Sequence, residues 1–511
     1  MIIPGQRLPI VIATRPVDFR RGHDGLAATV QNELGLDPHS GVTVVFRSKR
    51  GDRVKILVWD GTGLVLAPGF IDTDSRAAGE LLRMPGAQGP LSQGVTTIAV
   101  GVDGESPYPL ADWLRAVEDT GVVVNVAPFV GHATVRRQVM RDNVGRAATG
   151  AEVDAMRNVL AHELATGALG LSVDLEHGPG RQAITDEIIA LGRIAEAAGG
   201  RLTVHLRSED RHLFDAIDEV VRVGQATGMP VHINDLRLPM RSLWGRADEV
   251  LARLASARAT GVDITADAFP YTYWQGPMTM LFPEGDYHDA KAAAFAVREL
   301  APPARTQVEH YPPYSPYEGR TLEEVAAMRG QDPASTLMQL IADARSAHAS
   351  EGVLVSAMDA GDVAKIIQWP YTNIASDAKL TDKHPRGYGA FARVLGPWVR
   401  NGRLTLEQAV YKMTQLPARD LGLSNRGVVR AGNYADLVLF DPRTVQDQAT
   451  PAHPAAVARG IRYVWVNGML AYDGRAGEVG VKSVRPGRIL LRGSGDRPSD
   501  RPGRRESDAR P

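Results

Sequence analysis

The feature that most constrains the fold is a long alternation of β-rich runs and amphipathic helical runs between residues 67 and 440. Thr96–Gly101 and Val122–Ala127 are rich in β-branched residues, and Leu110–Thr120 between them has apolar residues at helical spacing. Parallel strands are joined by crossovers of about a dozen residues or more, which are usually helices. The alternation therefore predicts an α/β fold, and the number of strand–helix units suits a TIM-type (β/α)8 barrel enlarged by insertions.

The first 66 residues differ from the long alternating part in charge and in predicted secondary structure. They contain nine Lys and Arg against six Asp and Glu, so this segment is mildly basic. A strand over Ile10–Ala13 and a helix over Leu26–Leu34 are predicted. They are followed by a hairpin with strands Val42–Arg47 and Val54–Trp59. The sequence thus predicts an α+β segment before the barrel.

The C-terminal part is rich in strands. Asn467-Gly468 between two β-rich runs predicts a tight hairpin turn. The end of the chain consists of Arg, Asp, Pro, Ser and Gly with hardly an apolar residue, so we expect it to be disordered. The predicted parts are an N-terminal segment (1–66), a barrel (67–425), C-terminal strands (426–490) and a tail (491–511).

Composition and charge exclude several classes of protein. The 511-residue chain has a net charge of −1, so its overall charge gives no indication of nucleic acid or membrane binding. It has no cysteine, which rules out disulfides and thiolate metal ligands. No apolar run reaches the roughly 18–20 residues of a membrane span, and the N-terminus lacks the order of a signal peptide. We expect a cytoplasmic protein without a membrane partner.

Several short sequence motifs in the long alternating part follow one another in a characteristic order and spacing. They are Pro68-Gly69-Phe70-Ile71-Asp72, Gln93-Gly94-Val95-Thr96-Thr97, His205-Leu206-Arg207-Ser208-Glu209, Asp267-Ala268-Phe269-Pro270-Tyr271-Thr272, Ser376-Asp377 and His384-Pro385-Arg386-Gly387-Tyr388-Gly389. Over about 67–490 they resemble the N-acyl-D-amino-acid deacylase (D-aminoacylase) family of the amidohydrolase superfamily. The resemblance implies a barrel plus a small β-sandwich built from both chain ends, and N-acyl amino acids as substrates.

The resemblance also implies metal-assisted hydrolysis of an amide. In this family a divalent metal, usually zinc, polarises the carbonyl and lowers the pKa of bound water to about 7. An aspartate after the last barrel strand moves the proton. The family supplies a His-x-His pair, often a cysteine, and two further histidines as ligands. By this match Asp377 is the catalytic aspartate and His205 is the first of the two further histidines.

Three of the usual nitrogen ligands are replaced. The His-x-His positions carry Asp74 and Arg76, and the last histidine position carries Asp235. Asp103 takes the place of the cysteine, as in some branches of the family. A carboxylate-rich set suits manganese, magnesium or calcium better than zinc. The predicted metal ligands are His205, Asp74, Asp103, Asp235 and Glu176, with zinc, manganese or no metal as the open alternatives.

The direction of the Arg76 side chain decides between these alternatives. Two unit charges about 4 Å apart interact by several kcal/mol at an effective dielectric near 20. A guanidinium that points inward therefore competes with a metal, and it can pair with Asp74 or Asp377 instead. A guanidinium that points outward leaves the site open.

Substrate contacts and the remaining histidines complete the predicted site. Arg237, Tyr271 and Arg386 are candidate substrate-binding residues, because guanidinium and phenol groups suit a carboxylate or an oxyanion. Five other histidines are predicted to be structural or solvent-facing: His132, His177, His232, His310 and His384.

The front of the chain carries a second resemblance. Its strings are Phe19-Arg20-Arg21-Gly22, Asp37-Pro38-His39-Ser40-Gly41 and Gly51-Asp52-Arg53-Val54-Lys55-Ile56-Leu57. They resemble the accessory protein of an insertion-sequence transposon, and the likeness stops near Leu66. The simplest interpretation is a fused reading frame. The fusion replaces the leading strands of the sandwich, so the C-terminal strands need another partner, for which the hairpin at 42–59 is one candidate.

Three functional hypotheses follow. The first is a hydrolase of linear amide bonds in N-acyl amino acids, with an altered or impaired metal site. The second is a catalytically inactive barrel fused to a transposon-derived segment, and the third is a transposition accessory protein. Nucleic acid is not an expected partner, because the basic cluster Arg47-Ser48-Lys49-Arg50 has no interleaved aromatic residues.

Overall fold

The structure is a computed structural model that describes residues 10–18, 23–38, 42–49, 54–58, 64–282, 284–479 and 481–493. Its strands are β1 (Ile10–Ile12), β2 (Thr43–Arg47), β3 (Val54–Val58), β4 (Val65–Pro68), β5 (Phe70–Asp72), β6 (Val95–Val100), β7 (Asn125–Pro128), β8 (Val130–Gly131), β9 (Gly170–Asp174), β10 (Arg201–His205), β11 (Val231–Ile233), β12 (Ile264–Ala268), β13 (Trp274–Gly276), β14 (Thr306–His310), β15 (Gly352–Val355), β16 (Thr372–Ile374), β17 (Leu437–Phe440), β18 (Ile461–Val466) and β19 (Met469–Asp473). Its α-helices are α1 (His23–Glu33), α2 (Gln88–Ser92), α3 (Leu110–Thr120), α4 (His132–Met140), α5 (Gly150–Leu164), α6 (Thr185–Ala197), α7 (Leu213–Thr227), α8 (Ala247–Ala259), α9 (Ala290–Phe295), α10 (Leu322–Arg329), α11 (Pro333–Ser346), α12 (Ala360–Gln368), α13 (Arg386–Arg393), α14 (Leu406–Met413) and α15 (Gln415–Leu421).

The predicted barrel is present. Its strands pair in parallel in the order β5, β6, β7 with its continuation β8, β9, β10, β11, β12 and β16. A parallel bridge between Ser75 and Ala378 joins the first strand to the last and closes the ring. The carboxyl ends of all these strands therefore meet on one rim, which is where barrel enzymes place their active sites.

The helices between the strands cover the outside of the barrel. In α3 the buried residues Leu110, Leu114 and Val117 are spaced four and three apart, so they form one stripe that faces the strands. Burying each such side chain contributes roughly 1.5–3 kcal/mol. In α5 a capping box joins Thr149 and Glu152, and this fixes where the helix begins. Strand residues are buried on both faces of the barrel wall, as in β6.

An insertion between β12 and β16 forms a separate small core. Its strands pair in antiparallel order β13–β15–β14, and α10 packs against β14. Helices α9, α10 and α11 contribute apolar residues to the same core. Leu337, Leu340, Val353 and Val355 are fully or almost fully buried in this core. The insertion reaches the rim of the barrel through Met280, so it contributes to the site described below.

The C-terminal strands form a four-stranded antiparallel sheet in the order β19–β18–β17–β4. Strand β17 pairs with β4 from Leu437 opposite Pro68 to Phe440 opposite Val65. Val65–Pro68 is thus the partner that the C-terminal strands need, and the predicted boundary between 66 and 67 falls inside this strand.

The N-terminal segment agrees with its α+β prediction. Strand β2 pairs in parallel with β1 and antiparallel with β3, and α1 packs against β3. The proposal that the hairpin at 42–59 pairs with the C-terminal strands is wrong for the described residues, because β2 and β3 pair within their own sheet. Trp59, the predicted last residue of the hairpin, lies outside the described residues.

The last described residues run along the barrel bottom. Leu490 donates a backbone hydrogen bond to Val126, and Arg492 donates one to Gly167. Residues 491–493 of the predicted disordered tail therefore have a defined place, and 494–511 lie outside the described residues. Within the described part of the chain, no helix is long and apolar enough to cross a membrane.

Candidate active site

The rim collects acidic residues from the ends of several strands. Asp103, Asp235 and Asp377 each follow a barrel strand, and each has a positive φ, of 52°, 50° and 46°. Non-glycine residues with this backbone conformation are uncommon and strained, although aspartate tolerates it better than most. Such strain concentrates at functional sites. The strained backbone of these three aspartates thus indicates that this rim of the barrel is a functional site.

A cavity of about 790 Å³ opens above this rim. Arg76, Asp103, His205 and Arg237 lie at its floor and sides, and Lys379 lies on its wall. The apolar part of the wall includes Ala78, Leu82, Val102, Pro107, Trp113, Ala133, Pro179 and Met280. This size and this mixture of apolar and polar groups suit a small organic molecule.

The guanidinium of Arg76 points inward. Its Nε lies 2.7 Å from Asp103 Oδ2 and 2.7 Å from Asp377 Oδ1. The other oxygen of Asp377 forms an ion pair with Arg386. Asp74 completes the group, because one of its carboxylate oxygens lies within 4.8 Å of one oxygen of Asp103 and one oxygen of Asp377. Arg76 thus lies between two carboxylates of an acidic group that we call the Asp74–Asp103–Asp377 cluster.

Burial and charge shift the pKa values of this cluster in different directions. Burial, followed by the charges of Asp103 and Asp377, raises the pKa of Asp74 well above its usual range. Burial also acts to raise the pKa of Asp377, but Arg386 and Arg76 outweigh it and hold that pKa below its usual range. The two arginines therefore keep Asp377 ionised, while Asp74 is held toward its protonated form.

A second group of charges surrounds His205. Its Nε2 lies 3.2 Å from Glu176 Oε2 and 3.7 Å from Glu209 Oε1. Arg237 bridges this group to the rim, with Nε 2.6 Å from Glu209 Oε2 and Nη1 2.5 Å from Asp235 Oδ2. Burial acts to lower the pKa of His205, but the nearby carboxylates, led by Glu209, raise it well above its usual range.

The five predicted metal ligands do not converge on one point. Asp74 and Asp103 lie in the first cluster, and Glu176 and His205 lie in the second. Asp235 is tied to Arg237 instead of facing either cluster. The structure thus divides the five predicted ligands among different groups of charges, and their role as metal ligands stays a prediction.

Two of the three predicted substrate contacts lie behind the cavity wall. Tyr271 is 1% exposed, packs against His384 and lies under the Arg393 guanidinium, 4.6 Å from the ring centroid. Arg386 is buried against Asp377. Of these three residues, Arg237 lies in the cavity wall, whereas Tyr271 and Arg386 are not among the described residues that line it. The role of Tyr271 and Arg386 as substrate contacts thus stays a prediction.

Sequence reasoning missed several residues of the cavity. His177 was predicted to be structural or solvent-facing, yet it lines the cavity and its ring centroid lies 5.4 Å from that of His205. Glu209 is a further residue near His205 that was not predicted as part of the site. Its position four residues after His205 is the signal that could have found it. By contrast His132 is buried against Glu187, and His232 against Asp267, as predicted for structural histidines.

Comparison with known proteins identifies the family. The amidohydrolase family model matches residues 286–472. D-aminoacylase of Alcaligenes xylosoxydans xylosoxydans is 36% identical over 459 residues, which span 85% of this chain and 88% of that enzyme. This chain belongs to the D-aminoacylase family. It is an amidohydrolase, from a family of metal-dependent enzymes that hydrolyse linear amide bonds.

Solved structures of deacylases share the fold. A D-aminoacylase described with a binuclear metal centre matches with a TM-score of 0.73 and 34% identity, over 84% of this chain and 90% of that one. The N-acyl-D-glutamate deacylase of Bordetella bronchiseptica, bound to zinc and a phosphonate inhibitor, matches with a TM-score of 0.73 and 32% identity. That match covers 85% of this chain and 90% of the deacylase. These matches confirm the barrel prediction for this member of the deacylase family.

The N-terminal resemblance is also confirmed. The model of the IS66 Orf2 like protein family matches residues 8–74. The match extends past Leu66, where the sequence predicted it to stop, and overlaps the first barrel strand Phe70–Asp72. Residues 8–74 of this deacylase-family chain are therefore similar to the IS66 Orf2 like family, and the matched region runs into the barrel.

The Asp74–Asp103–Asp377 cluster of this family member does not fit a zinc centre. Zinc is usually held by imidazole or thiolate ligands in tetrahedral geometry. Among the described residues, the Asp74–Asp103–Asp377 cluster contains no imidazole, and a guanidinium lies between two of its carboxylates. Arg76 and Arg386 also neutralise the carboxylates of this cluster with two positive charges, which is the charge that a divalent metal ion would bring. A zinc ion would have to displace Arg76 and accept an all-oxygen site.

Proposed function

We propose that this protein is a hydrolase of N-acyl amino acids with an altered metal site. The observation that carries the proposal is the inward guanidinium of Arg76, 2.7 Å from both Asp103 and Asp377 at the floor of the cavity. Membership of the deacylase family and the cavity support N-acyl amino acids as substrates. The replacement of three histidine ligands supports an altered metal site. Hydrolysis is expected to be slow in the chain as it stands, because the family's chemistry depends on a metal-activated water.

The cavity supports binding of an acylated amino acid. Lys379 is exposed on its wall and offers an ammonium group to the substrate carboxylate. Leu82, Trp113 and Met280 offer an apolar surface to the acyl chain. Arg237 is already paired with Glu209 and Asp235, so we assign it the role of holding these carboxylates in place.

We include a divalent metal in this proposal because the similar structures include a D-aminoacylase with a binuclear metal centre. The surviving donors in this chain are mainly carboxylate oxygens, which favour manganese over zinc. We therefore expect a low zinc content in the purified protein, and weak metal-dependent activity that manganese supports better than zinc.

The test compares the chain with a variant in which the three replaced histidines are restored. Asp74→His, Arg76→His and Asp235→His together remove the guanidinium and supply three imidazoles. We expect bound zinc to rise from near zero to about one equivalent per chain, with a large gain in hydrolysis of N-acetyl-D-amino acids. Zinc is measured by mass spectrometry and turnover by release of the free amine.

The matched control adds Asp377→Asn to the triple variant, which should keep zinc but lose turnover. Stoichiometric zinc and equal turnover in the unaltered chain would contradict the altered metal site. A triple variant that binds zinc but hydrolyses no N-acyl amino acid would contradict the substrate class.

The second candidate is a barrel without turnover that is fused to a transposon-derived segment. The IS66-type match over residues 8–74 favours it. It predicts that the triple variant gains neither zinc nor activity. Salt-sensitive binding of the full chain to DNA would instead favour a transposition accessory protein.

A further inference from the structure

A second cavity, of about 610 Å³, shares no lining residue with the active-site cavity in the described part of the chain. Pro270 and Thr272, the chain neighbours of Tyr271, form part of its wall. We call this cavity the back groove. Its charged and amide side chains are Arg393, Asn401, Arg403, Gln446, Asp447 and Gln448. The proposed hydrolysis uses none of these side chains, so they are free to serve another ligand.

Two guanidinium groups and one carboxylate lie in the back groove. Arg393 Nη1 lies 2.9 Å from Asp447 Oδ2, and the Asp447 side chain is 9% exposed. Arg403 stacks on the ring of Trp398, with its guanidinium carbon 5.0 Å from the ring centroid. Among the described residues, no carboxylate lies at ion-pair distance from Arg403. The groove therefore has one positive charge in excess, next to a carboxylate that is already held in place.

This charge pattern fits a small molecule that carries a carboxylate and an ammonium group close together. Guanidinium groups such as those of Arg393 and Arg403 bind carboxylates through parallel N–H donors. The carboxylate of Asp447 suits the ammonium group, and the amide side chains can both donate and accept hydrogen bonds. A free α-amino acid has these two charges one carbon apart, and the volume of the groove is within the range of small-molecule sites.

Helix α13 connects the back groove to Asp377. Arg386 is the first residue of this helix and pairs with Asp377, whereas Arg393 is its last residue. Residues seven apart lie two turns apart on the same face of a helix, at a distance of about 10 Å. The guanidinium carbon of Arg386 lies 4.8 Å from the ring centroid of Phe269, and that of Arg393 lies 4.6 Å from the ring centroid of Tyr271. The same face of α13 thus reaches Asp377 at one end and the groove at the other.

Close packing makes α13 a direct mechanical link. A Cβ atom at Gly389 would lie 2.4 Å from the hydroxyl of Tyr271 and 3.0 Å from the Cβ of Asp447. Glycine is therefore required for this approach of the helix to the groove. A ligand that engages Arg393 and Asp447 consequently contacts the two residues against which α13 is packed or from which it ends.

We infer that the back groove is a binding site for a free amino acid, whose carboxylate contacts Arg393 and Arg403 and whose ammonium group contacts Asp447. Occupancy of the groove fixes the last residue of α13 and so steadies Arg386 against Asp377. The inference deepens the proposed function, on which it rests in one respect: a free amino acid is a product of the proposed hydrolysis. Binding in the groove requires no turnover.

Calorimetry on the full chain with D-leucine tests the site. We expect a Kd of about 1 mM or lower, and about tenfold or more weaker binding by Arg403→Ala, which removes the guanidinium without a carboxylate partner. Arg305→Ala is the matched control, because its guanidinium also stacks on an indole, that of Trp244, but lines a different cavity. Its affinity for D-leucine should equal that of the unaltered chain.

Two simpler probes and a second variant test the ligand chemistry. Acetate lacks the ammonium group and D-leucinamide lacks the carboxylate, so each should bind about tenfold or more weakly than D-leucine. Asp447→Asn removes the partner of the ammonium group, and it should bring the affinity for D-leucine down toward that for acetate.

Hydrogen exchange measures the link to Asp377. D-leucine should slow exchange of the backbone amides of residues 386–393 in the unaltered chain and in Arg305→Ala, but not in Arg403→Ala. Unchanged exchange in this helix despite normal binding would overturn the link.

Other outcomes would overturn the site itself. Equal binding of D-leucine by the unaltered chain and Arg403→Ala would place the amino acid in the active-site cavity. An equal loss in Arg305→Ala, or no binding up to about 50 mM, would also end the proposal. If Arg403→Ala does not fold, Arg403→Gln takes its place under the same criteria. A chain that binds D-leucine in the groove but hydrolyses no N-acyl amino acid would contradict the hydrolase proposal alone.

Discussion

At the scale of single residues, Asp74 has the most unusual environment at the site. Its carboxylate is fully buried, and neither oxygen finds a hydrogen-bond donor among the described residues. Arg76 and Arg386 are both in contact with Asp377, so Asp74 has no arginine of its own. Burial and the adjacent carboxylates therefore raise its pKa well above the usual range.

This environment predicts that Asp74→Asn stabilises the protein at neutral pH. A carboxyl with a raised pKa in the folded state favours folding below its unfolded pKa, near 4, and this contribution is lost as the pH rises through the folded value. The amide cannot ionise, so the variant should gain on the order of 1 kcal/mol at pH 7–8, and the gain should shrink toward pH 4.

Urea unfolding at a series of pH values measures this difference. Asp382→Asn is a suitable control, because that carboxylate is partly exposed and lies 3.7 Å from Arg386. A stability gain that grows toward acidic pH would show that Asp74 is ionised in the folded protein.

At the scale of elements, strand β4 lies where the N-terminal segment, which resembles a transposon accessory protein, meets the part of the chain that resembles the deacylases. Its four residues, Val65–Pro68, form the edge of the C-terminal sheet, and Leu66 lies opposite Leu439. Without this strand, β17 would expose a row of unpaired backbone groups and the half-buried apolar residues beside it, which invites aggregation.

A pair of truncations tests the role of this strand. A chain that lacks residues 1–63 keeps β4, and we expect it to remain monodisperse with a melting temperature close to that of the full chain. A chain that lacks residues 1–68 loses β4, and we expect a lower melting temperature and aggregation. Light scattering and thermal melting distinguish the two. Equal behaviour of both truncations would show that the C-terminal sheet does not need the strand.

At the scale of the whole molecule, the cavity is assembled from two separate cores. Leu82 and Trp113 belong to the barrel, whereas Met280 belongs to the insertion between β12 and β16. The site thus depends on how the insertion packs over the rim. The N-terminal sheet has a core of its own, centred on Val30, Val44 and Phe46.

The position of Met280 predicts a specific effect on binding. Met280→Ala removes apolar surface from the wall, so affinity for N-acyl amino acids with long acyl chains should fall by about fivefold, with little change for N-acetyl compounds. Calorimetry measures both series. Met328→Ala, an exposed methionine on α10 of the same insertion, is the matched control. An equal loss for short and long acyl chains would place the acyl group elsewhere.

Much of this architecture could be predicted from sequence because it follows from local periodicity. The helix predicted over Leu110–Thr120 has those bounds in the structure, and the hairpin and the C-terminal strands also appear where they were expected. The direction of the Arg76 side chain stayed open at the level of sequence, because its inward position depends on Asp103 and Asp377, which follow other strands.

The amino-acid sequence by itself determined the fold class, the family and the loss of three imidazole ligands. Each of these depends on which residues follow one another. The tertiary structure alone decided how the charges pair: Arg76 with Asp103 and Asp377, Arg237 with Asp235 and Glu209, and Tyr271 behind the wall. These partners come from strand ends far apart in the chain. Their pairing depends on distances that closure of the barrel sets, and on burial, which makes unpaired charge costly.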